Sequence, residues 1–178
     1  MSPGSHIRRA TPGDVDGIAA LHADSWRRNY RGAFPDTFLD GDLVAERRAV
    51  WTDRLTHPGP VDLTLVADDG TGAVVGLAHT VLDSHPEWGA LLDNLHVRHG
   101  LKGQGLGRRL VAATVEAVVA HDPAAGLHVE VLAQNTPAQA FYVRLGATLA
   151  HTAEFDTPGA GRALAHVYTW PAPLALSP

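Results

Sequence analysis

Residues 95–110 read Leu95-His96-Val97-Arg98-His99-Gly100-Leu101-Lys102-Gly103-Gln104-Gly105-Leu106-Gly107-Arg108-Arg109-Leu110, an apolar-alternating strand that runs through a glycine-rich loop into the start of a helix. Free N–H groups in the first turn of a helix, reinforced by the helix dipole, hold anionic oxygens, and glycines let the ligand approach the backbone closely. The stretch is an anion-binding construction. It is not a GxxxxGK[ST] phosphate loop, because the GK[ST] ending is missing. Nor does Gly103-Gln104-Gly105-Leu106-Gly107 have the GxGxxG spacing of dinucleotide folds.

Downstream, Leu110, Val111, Val115 and Val118 keep the helical period until Asp122-Pro123 stops it, and Leu127 to Leu132 returns to strand character. Strand 90–98, helix 105–121 and strand 127–133 therefore form a βαβ unit, which implies two parallel strands joined by a right-handed crossover. Asn135-Thr136-Pro137 opens a further helix through Phe141, Val143 and Leu145, with Gly146 at its C′ position. Two last strands, 148–155 and 163–170, flank the Pro158-Gly159 turn, and Pro171 to Pro178 reads as a frayed tail.

Upstream, Ala90 is preceded by a loop, His85-Pro86-Glu87-Trp88-Gly89, and by two strands, 61–67 and 73–82, joined as a hairpin through Asp68-Asp69-Gly70-Thr71-Gly72. Before them lie two amphipathic helices. The first starts at Thr11-Pro12-Gly13-Asp14, an N-cap with proline at N1 and an acid at N3, and runs to about Trp26 or Arg28. The second runs from Asp42 through Leu43, Val50, Trp51 and Leu55 to His57-Pro58. A short strand at 5–10 comes first, with Gly4-Ser5-His6 kept as native sequence. The expectation is an α/β (α+β) domain over 1–171 with a short tail at 172–178, its sheet mostly antiparallel.

The composition bounds the function. With 178 residues, 45% of them hydrophobic, the chain can bury a full core without a staple. It has no cysteine, so a disulfide framework, a thiol nucleophile and a Cys-ligated metal are excluded. Its 14 basic against 19 acidic residues give a net charge of -5, which speaks against a nucleic-acid surface. There is neither an 18-residue apolar span nor a leader-like start, so a cytoplasmic, membrane-free location is expected. Eleven histidines are spread without compact zinc spacing, and no metal is expected.

The order of elements and two segments resemble the GNAT superfamily of acetyl-CoA-dependent N-acyltransferases, and the likeness covers nearly the whole chain. The family's Arg/Gln-x-x-Gly-x-Gly/Ala loop falls on Lys102, Gly103, Gln104, Gly105, Leu106 and Gly107. Its N-x-x-A-x-x-F-Y-x-x-x-G-F segment is matched by Asn135 to Ala147, with Asn135 and Tyr142 carrying the likeness. Lys102 replaces the usual Arg or Gln, and His99 stands where Pro is common. As the chain's only lysine, Lys102 is either a pyrophosphate contact or a solvated loop residue.

The resemblance implies a sheet of about seven strands, with a parallel pair splayed around the acyl-CoA site and about four flanking helices. It implies that amides from Gly103 to Arg108 bind the coenzyme A pyrophosphate, that Leu95, His96 and Val97 line the pantetheine arm, and that a β-bulge in strand 90–98 frees the Val97 N–H as oxyanion donor. Tyr142 is the expected acid for the leaving thiolate, or else a coenzyme contact. Asp93 is the expected base and an acceptor contact, Glu130 the second choice, with His96 and His79 as available imidazoles. A narrower likeness of Ser25 to Asp36 to one bacterial group places Trp26 and Tyr30 at the amine pocket, although an i, i+4 aromatic pair also packs simply as core. The expected reaction is direct attack by an amine on acetyl-CoA in a ternary complex, with a small-molecule acceptor. The alternatives are a non-catalytic acyl-CoA sensor, a protein N-terminal or lysine acetyltransferase, and a nucleotide-phosphate binder. Family habit implies a possible homodimer through the last strands.

Overall fold

The computed structural model describes residues 5–159 and 161–177. Residues 1–4, the start in which no leader was recognised, and Pro178 at the end of the tail lie outside it. The first described elements are β1 (His6–Arg9) and a 3-10 turn at Pro12–Asp14 that leads into α1 (Val15–Asn29). Asp14 accepts from the Thr11 N–H at 2.8 Å and from Nη1 and Nη2 of Arg8, so the capping box read from Thr11 and Asp14 is also an anchor to β1. Next come α2 (Asp36–Leu39), α3 (Leu43–Thr56), the hairpin β2 (Asp62–Asp68) and β3 (Val74–His85), and β4 (Gly89–Val97). The chain ends with α4 (Leu106–His121), β5 (Leu127–Leu132), α5 (Thr136–Arg144), β6 (Thr148–Thr157) and β7 (Gly161–Trp170). The four-residue α2 was not foreseen; it follows Pro35, where the sequence had shown only a broken helical pattern.

The seven strands form one sheet in the order β1-β2-β3-β4-β5-β7-β6. Every neighbouring pair is antiparallel except β4 and β5. That parallel pair is short: it holds at Ala90 with Leu127 and Leu91 with His128, and beyond these residues the strands diverge into a fork. One face of the sheet carries α4 and α5, over a core that includes Leu92, Leu110, Val111, Leu127, Val129 and Trp170. Burying a side chain of this size contributes about 1.5–3 kcal/mol. The approach of α4 is close: a Cβ on Gly76 of β3 would stand 2.9 Å from Leu110 Cδ1. The other face carries α1 and α3, packed through Ile18, Leu21 and Trp51 onto Val66, Val74 and Leu77.

A bulge in β4 sets which residues face which layer. Thr80 pairs with Leu92 and His79 with Asn94, so Asp93 has no residue opposite it. An inserted residue shifts the alternation by one. Ala90 and Leu92 before the bulge, and Leu95 and Val97 after it, all pack toward the α4 core. Asp93 reaches α3 through Arg54, and His96 reaches α1 through Ser25.

The tail is not frayed over its described residues. The Ser177 N–H donates to Leu145 O at 3.0 Å, and Leu174 and Leu176 pack against the main core. The apolar residues in Pro171 to Pro178 gave those segments something to bury, which their proline content had obscured. No helix among the described residues is long and apolar enough to cross a membrane.

Candidate active site

The loop from β4 to α4 takes the form its glycines permit. Gly103 has φ +79° and Gly105, the N-cap of α4, has φ +82°. Residues with a side chain rarely adopt this left-handed conformation. A Cβ at either position would meet no atom within 4 Å, so the loop's outer surface is open. The first bonded amide of α4 is that of Arg109, which donates to Gly105 O at 3.1 Å. The N–H groups of Leu106, Gly107 and Arg108 are thus left without intrahelical acceptors.

These amides open onto a cavity of about 430 Å³ bounded by the end of β4, the glycine loop, α5 and the end of α1. Leu95, His96 and Val97 form its β4 wall, and Lys102, Gly103, Gly105, Gly107 and Arg108 its loop wall. Asn135 and Tyr142 come from the start and the body of α5, and Tyr30 from the end of α1. Asn135 caps α5 by accepting from the Ala138 N–H. Lys102, Arg108 and Arg144 bring three cations to the cavity, none of them ion-paired among the described residues.

Hydrogen-bond alternation shows what β4 presents to the fork. The Arg98 N–H donates to Val75 O at 2.9 Å, which makes 75 and 98 a bonded pair. Bonded and non-bonded pairs alternate along an antiparallel ladder. In the register of β3 and β4, His96 and Asn94 are then bonded to β3, whereas the N–H groups of Leu95 and Val97 are directed to the opposite edge. On that edge β5 has already diverged. The bulge expected in this strand is present, four residues before Val97, at Asp93.

Tyr142 is buried, with its ring edge-on to Trp170 at 5.9 Å, and its hydroxyl has no hydrogen-bond partner among the described residues. Burial, and secondarily the proximity of Tyr30, raise its pKa above the usual phenol value. Tyr30 is pushed up to about 12 by burial and then by the charge of Asp93. Both phenols therefore stay protonated across the neutral range. His96 is bonded through Nδ1 to Ser25 Oγ at 2.8 Å, and its ring lies 4.5 Å from that of His22. Burial, followed by the charges of Lys102 and Arg47, pushes it down to about 3, so it stays neutral and is too weakly basic to serve as a general base. His79 is buried elsewhere, against Thr64 Oγ1 at 2.8 Å.

Six of the residues singled out in the sequence, Trp26, His79, Asp93, Gln104, Leu106 and Glu130, are absent from the cavity lining. Trp26 does not line it; its ring packs among Phe34, Leu39 and Leu43 under the Arg47 guanidinium, so of the aromatic pair Tyr30 faces the cavity and Trp26 is core. The Leu106 side chain is buried in the main core, leaving only its amide for a ligand. The Gln104 side chain turns back to donate to Gly100 O at 3.2 Å. Asp93 lies outside the cavity lining and is ion-paired to Arg54 at 3.0 Å. Conversely, the sequence reasoning passed over Ser25, Asn29, Leu101, Pro137, Ala138, Phe141 and Arg144, which do line the cavity. For Ser25 and Asn29 the available signal was their i, i+4 spacing beside Tyr30. For Ala138 it was the i, i+4 spacing to Tyr142, and for Phe141 the i, i+3 spacing to Ala138.

The comparisons with known proteins agree with this geometry. The model of the acetyltransferase (GNAT) family matches residues 22–147. An L-methionine sulfoximine/L-methionine sulfone acetyltransferase of Pseudomonas aeruginosa is 32% identical over 134 residues, covering 71% of this chain and 69% of its own. An uncharacterized N-acetyltransferase of Bacillus subtilis, YuaI, is 28% identical over 138 residues, 76% of each chain. The PaiA N-acetyltransferase of Thermoplasma acidophilum, solved in complex with coenzyme A, superposes with a TM-score of 0.73 at 15% identity over 94% of this chain and 99% of its own, a likeness of fold. The seven-stranded sheet forked at its one parallel pair, the glycine-opened helix at that fork and the family match over 22–147 make this chain a member of the GNAT acetyltransferase family.

Proposed function

We propose that the protein transfers the acetyl group of acetyl-CoA to the amine of a small molecule by direct attack in a ternary complex. The observation that carries this reading is the single cavity in which the open glycine-loop amides, the β4 edge at Leu95 and Val97, and the Tyr142 phenol converge. The residues fit the coenzyme. Space stands open beyond Gly103 and Gly105 where side chains would otherwise project, and Lys102, Arg108 and Arg144 offer unpaired positive charge to a polyanion.

Bound there, the coenzyme supplies the acetyl thioester. The amides from Gly103 to Arg108 hold its pyrophosphate, Lys102 adds a screened charge, and Leu95, His96 and Val97 line its arm, with Asn135 at the far wall. The Val97 N–H polarises the carbonyl oxygen. Tyr142 donates its proton to the departing sulfur, whose thiol has an ordinary pKa near about 8.5. An acceptor ammonium with an ordinary pKa near about 10 must lose a proton before it attacks, and in this reading Asp93, or else Glu130, takes it. In this reading Tyr30 and Asp93 are assigned to the acceptor. With no cysteine in the chain, a thiol-bound acyl intermediate is excluded. That a relative 32% identical acetylates a small molecule supports an acceptor of that class.

The test is calorimetric titration of acetyl-CoA into the purified protein, followed by thiol-release assays on a panel of primary amines. L-methionine sulfone is the first of them, with a peptide N-terminus as the contrasting acceptor. Micromolar coenzyme binding and turnover of a small amine are expected. A folded protein that binds no acetyl-CoA refutes the reading.

A further inference from the structure

The His96 imidazole is buried in the wall of the cavity, where it serves as neither acid nor base. It reaches from β4 to α1, its Nδ1 2.8 Å from Ser25 Oγ, and Ser25 lines the same cavity. The proton positions follow from the partners. Asn29 Nδ2 donates to Ser25 O at 2.7 Å, which fixes the amide, so its contact with Ser25 Oγ at 3.4 Å is also a donation. With a donor already on that oxygen, and no other acceptor for its proton among the described residues, the Ser25 hydroxyl donates to His96 Nδ1. The imidazole proton then sits on Nε2.

The neighbours of the ring hold it in that form. Behind it the His22 ring lies 4.5 Å away, and Trp51 Nε1 donates to His22 Nδ1 at 2.9 Å. An indole nitrogen can only donate, so His22 also carries its proton on Nε2 and has no lone pair to offer His96. His22 Nε2 is sealed in the core without a partner. His96 Nε2 likewise has no partner among the described residues, but it is not sealed and opens on the cavity. The charged groups that bear on His96 are Lys102 from the loop and Arg47 from α3, and both disfavour a second proton on the ring.

Resting on the acetyltransferase reading, we infer that His96 is a catalytic residue whose Nε2–H, locked by Ser25, donates to the carbonyl oxygen of the bound acetyl thioester beside the Val97 N–H. Ser25 is the positioning residue. A neutral imidazole whose surroundings forbid a second proton polarises a carbonyl without giving up the proton it has. The Val97 N–H leaves the edge of β4 and the His96 side chain leaves its α1/α3 face, so the two donors approach an oxygen in the cavity from different directions. Fixed donors of this kind are worth most where charge develops during the reaction. As the amine nitrogen bonds to the carbonyl carbon, the carbonyl π pair moves onto the oxygen and both hydrogen bonds strengthen. When the carbon–sulfur bond breaks, that pair returns, and the sulfur leaves with the bonding electrons and takes the Tyr142 proton. His96 keeps its proton throughout, so the proton balance of the transfer is unchanged.

Nitrogen-15 NMR of the whole protein reads the tautomer without any ligand. Between about pH 5 and 8 His96 is expected in the neutral Nε2–H form, and Ser25→Ala is expected to show a mixture of tautomers. An Nδ1–H form, or a ring that protonates in that range, overturns the inference. The contact itself is read by infrared difference spectroscopy on acetyl-CoA labelled with carbon-13 at the carbonyl and bound to the protein. The carbonyl stretch is expected to rise in His96→Phe, to rise in part in Ser25→Ala, and to rise least in His96→Gln, which restores an N–H near the place of Nε2. A stretch that ignores His96→Phe while acetyl-CoA stays bound overturns the inference. With any amine that turns over, His96→Phe is expected to lower kcat by about 10²–10³-fold at an unchanged acetyl-CoA Kd, and His96→Gln to recover about tenfold of that loss. A variant that raises only the acceptor KM places the donor on the acceptor and overturns the assignment. If acetyl-CoA binds and no amine is acetylated, the acetyltransferase reading fails, and the stretch still decides whether His96 meets the carbonyl. If acetyl-CoA does not bind, both fail.

Discussion

Replacing Gly105 by alanine separates what the loop's backbone needs from what its outer surface does. At φ +82° the new Cβ meets no protein atom within 4 Å, so the folding cost is the left-handed backbone alone, about 1–2 kcal/mol. For a chain of this length each kcal/mol lowers Tm by about 2–4 °C, giving an expected fall of about 2–8 °C. Gly72 supplies the matched control. It has φ +92° in the β2–β3 turn, it too would meet nothing within 4 Å, and it lies away from the forked cavity. Gly72→Ala should therefore show the same fall in Tm.

The two variants are expected to part company on acetyl-CoA. Only the methyl at 105 projects where the loop faces the cavity, and a loss of at least about tenfold in affinity is expected there, equivalent to ~1.4 kcal/mol. Scanning calorimetry measures the first quantity and isothermal titration the second. Equal acetyl-CoA Kd values for the two variants would refute the placement of the coenzyme on this loop. A Gly105→Ala protein as stable as wild type would refute the strain argument.

Two further outcomes follow from buried groups. Tyr142→Phe keeps the ring against Trp170 and removes only the hydroxyl, so acetyl-CoA binding should persist while kcat falls by about 10²-fold. Because burial raises the Tyr142 pKa, the acid form persists as pH rises through the ordinary phenol value, and an alkaline limb in kcat set by Tyr142 should lie above about 10; a limb well below that refutes the role. His22 and His96 are both depressed from 6.5 in the folded protein, by burial first, so below that pH the unfolded chain binds protons that the native state refuses. Stability is then fully present above about pH 6.5 and falls as pH drops, by about 1.4 kcal/mol per pH unit for each histidine. Burial also depresses His79 and His128, so urea unfolding between pH 7.5 and 5 measures a slope that His96→Gln should reduce in part, and a flat profile would refute it.

The parts of the molecule legible in the chain were those fixed by neighbours in sequence. A helix start is decided within a few residues, so Gly103 to Arg108 announced their own conformation, as did the Thr11/Asp14 box and the Asn135-Thr136-Pro137 opening of α5. Alternation and turn residues likewise placed each strand to within a few residues. The resemblance of two local segments then carried the family assignment, because those segments take a backbone geometry that glycine and cap residues encode.

What only the tertiary structure decided depends on contacts between distant residues. Trp26 and Tyr30 stand four residues apart on one helix, yet the packing of α2 and α3 buries the first and leaves the second facing the cavity. The apolar tail read as frayed until the Leu145 carbonyl and the main core gave it a surface to dock on. Asp93 read as an unpaired carboxylate because nothing in its own strand betrays Arg54, which is 39 residues earlier in the chain. The freedom of the Val97 amide follows from the bulge register of β4 and the divergence of β5, and neither is a property of any side chain. Local sequence sets dihedral preference and periodicity. The basicity of a carboxylate and the direction of an amide are set by which other strands and helices arrive beside it, and those are fixed only when the sheet assembles.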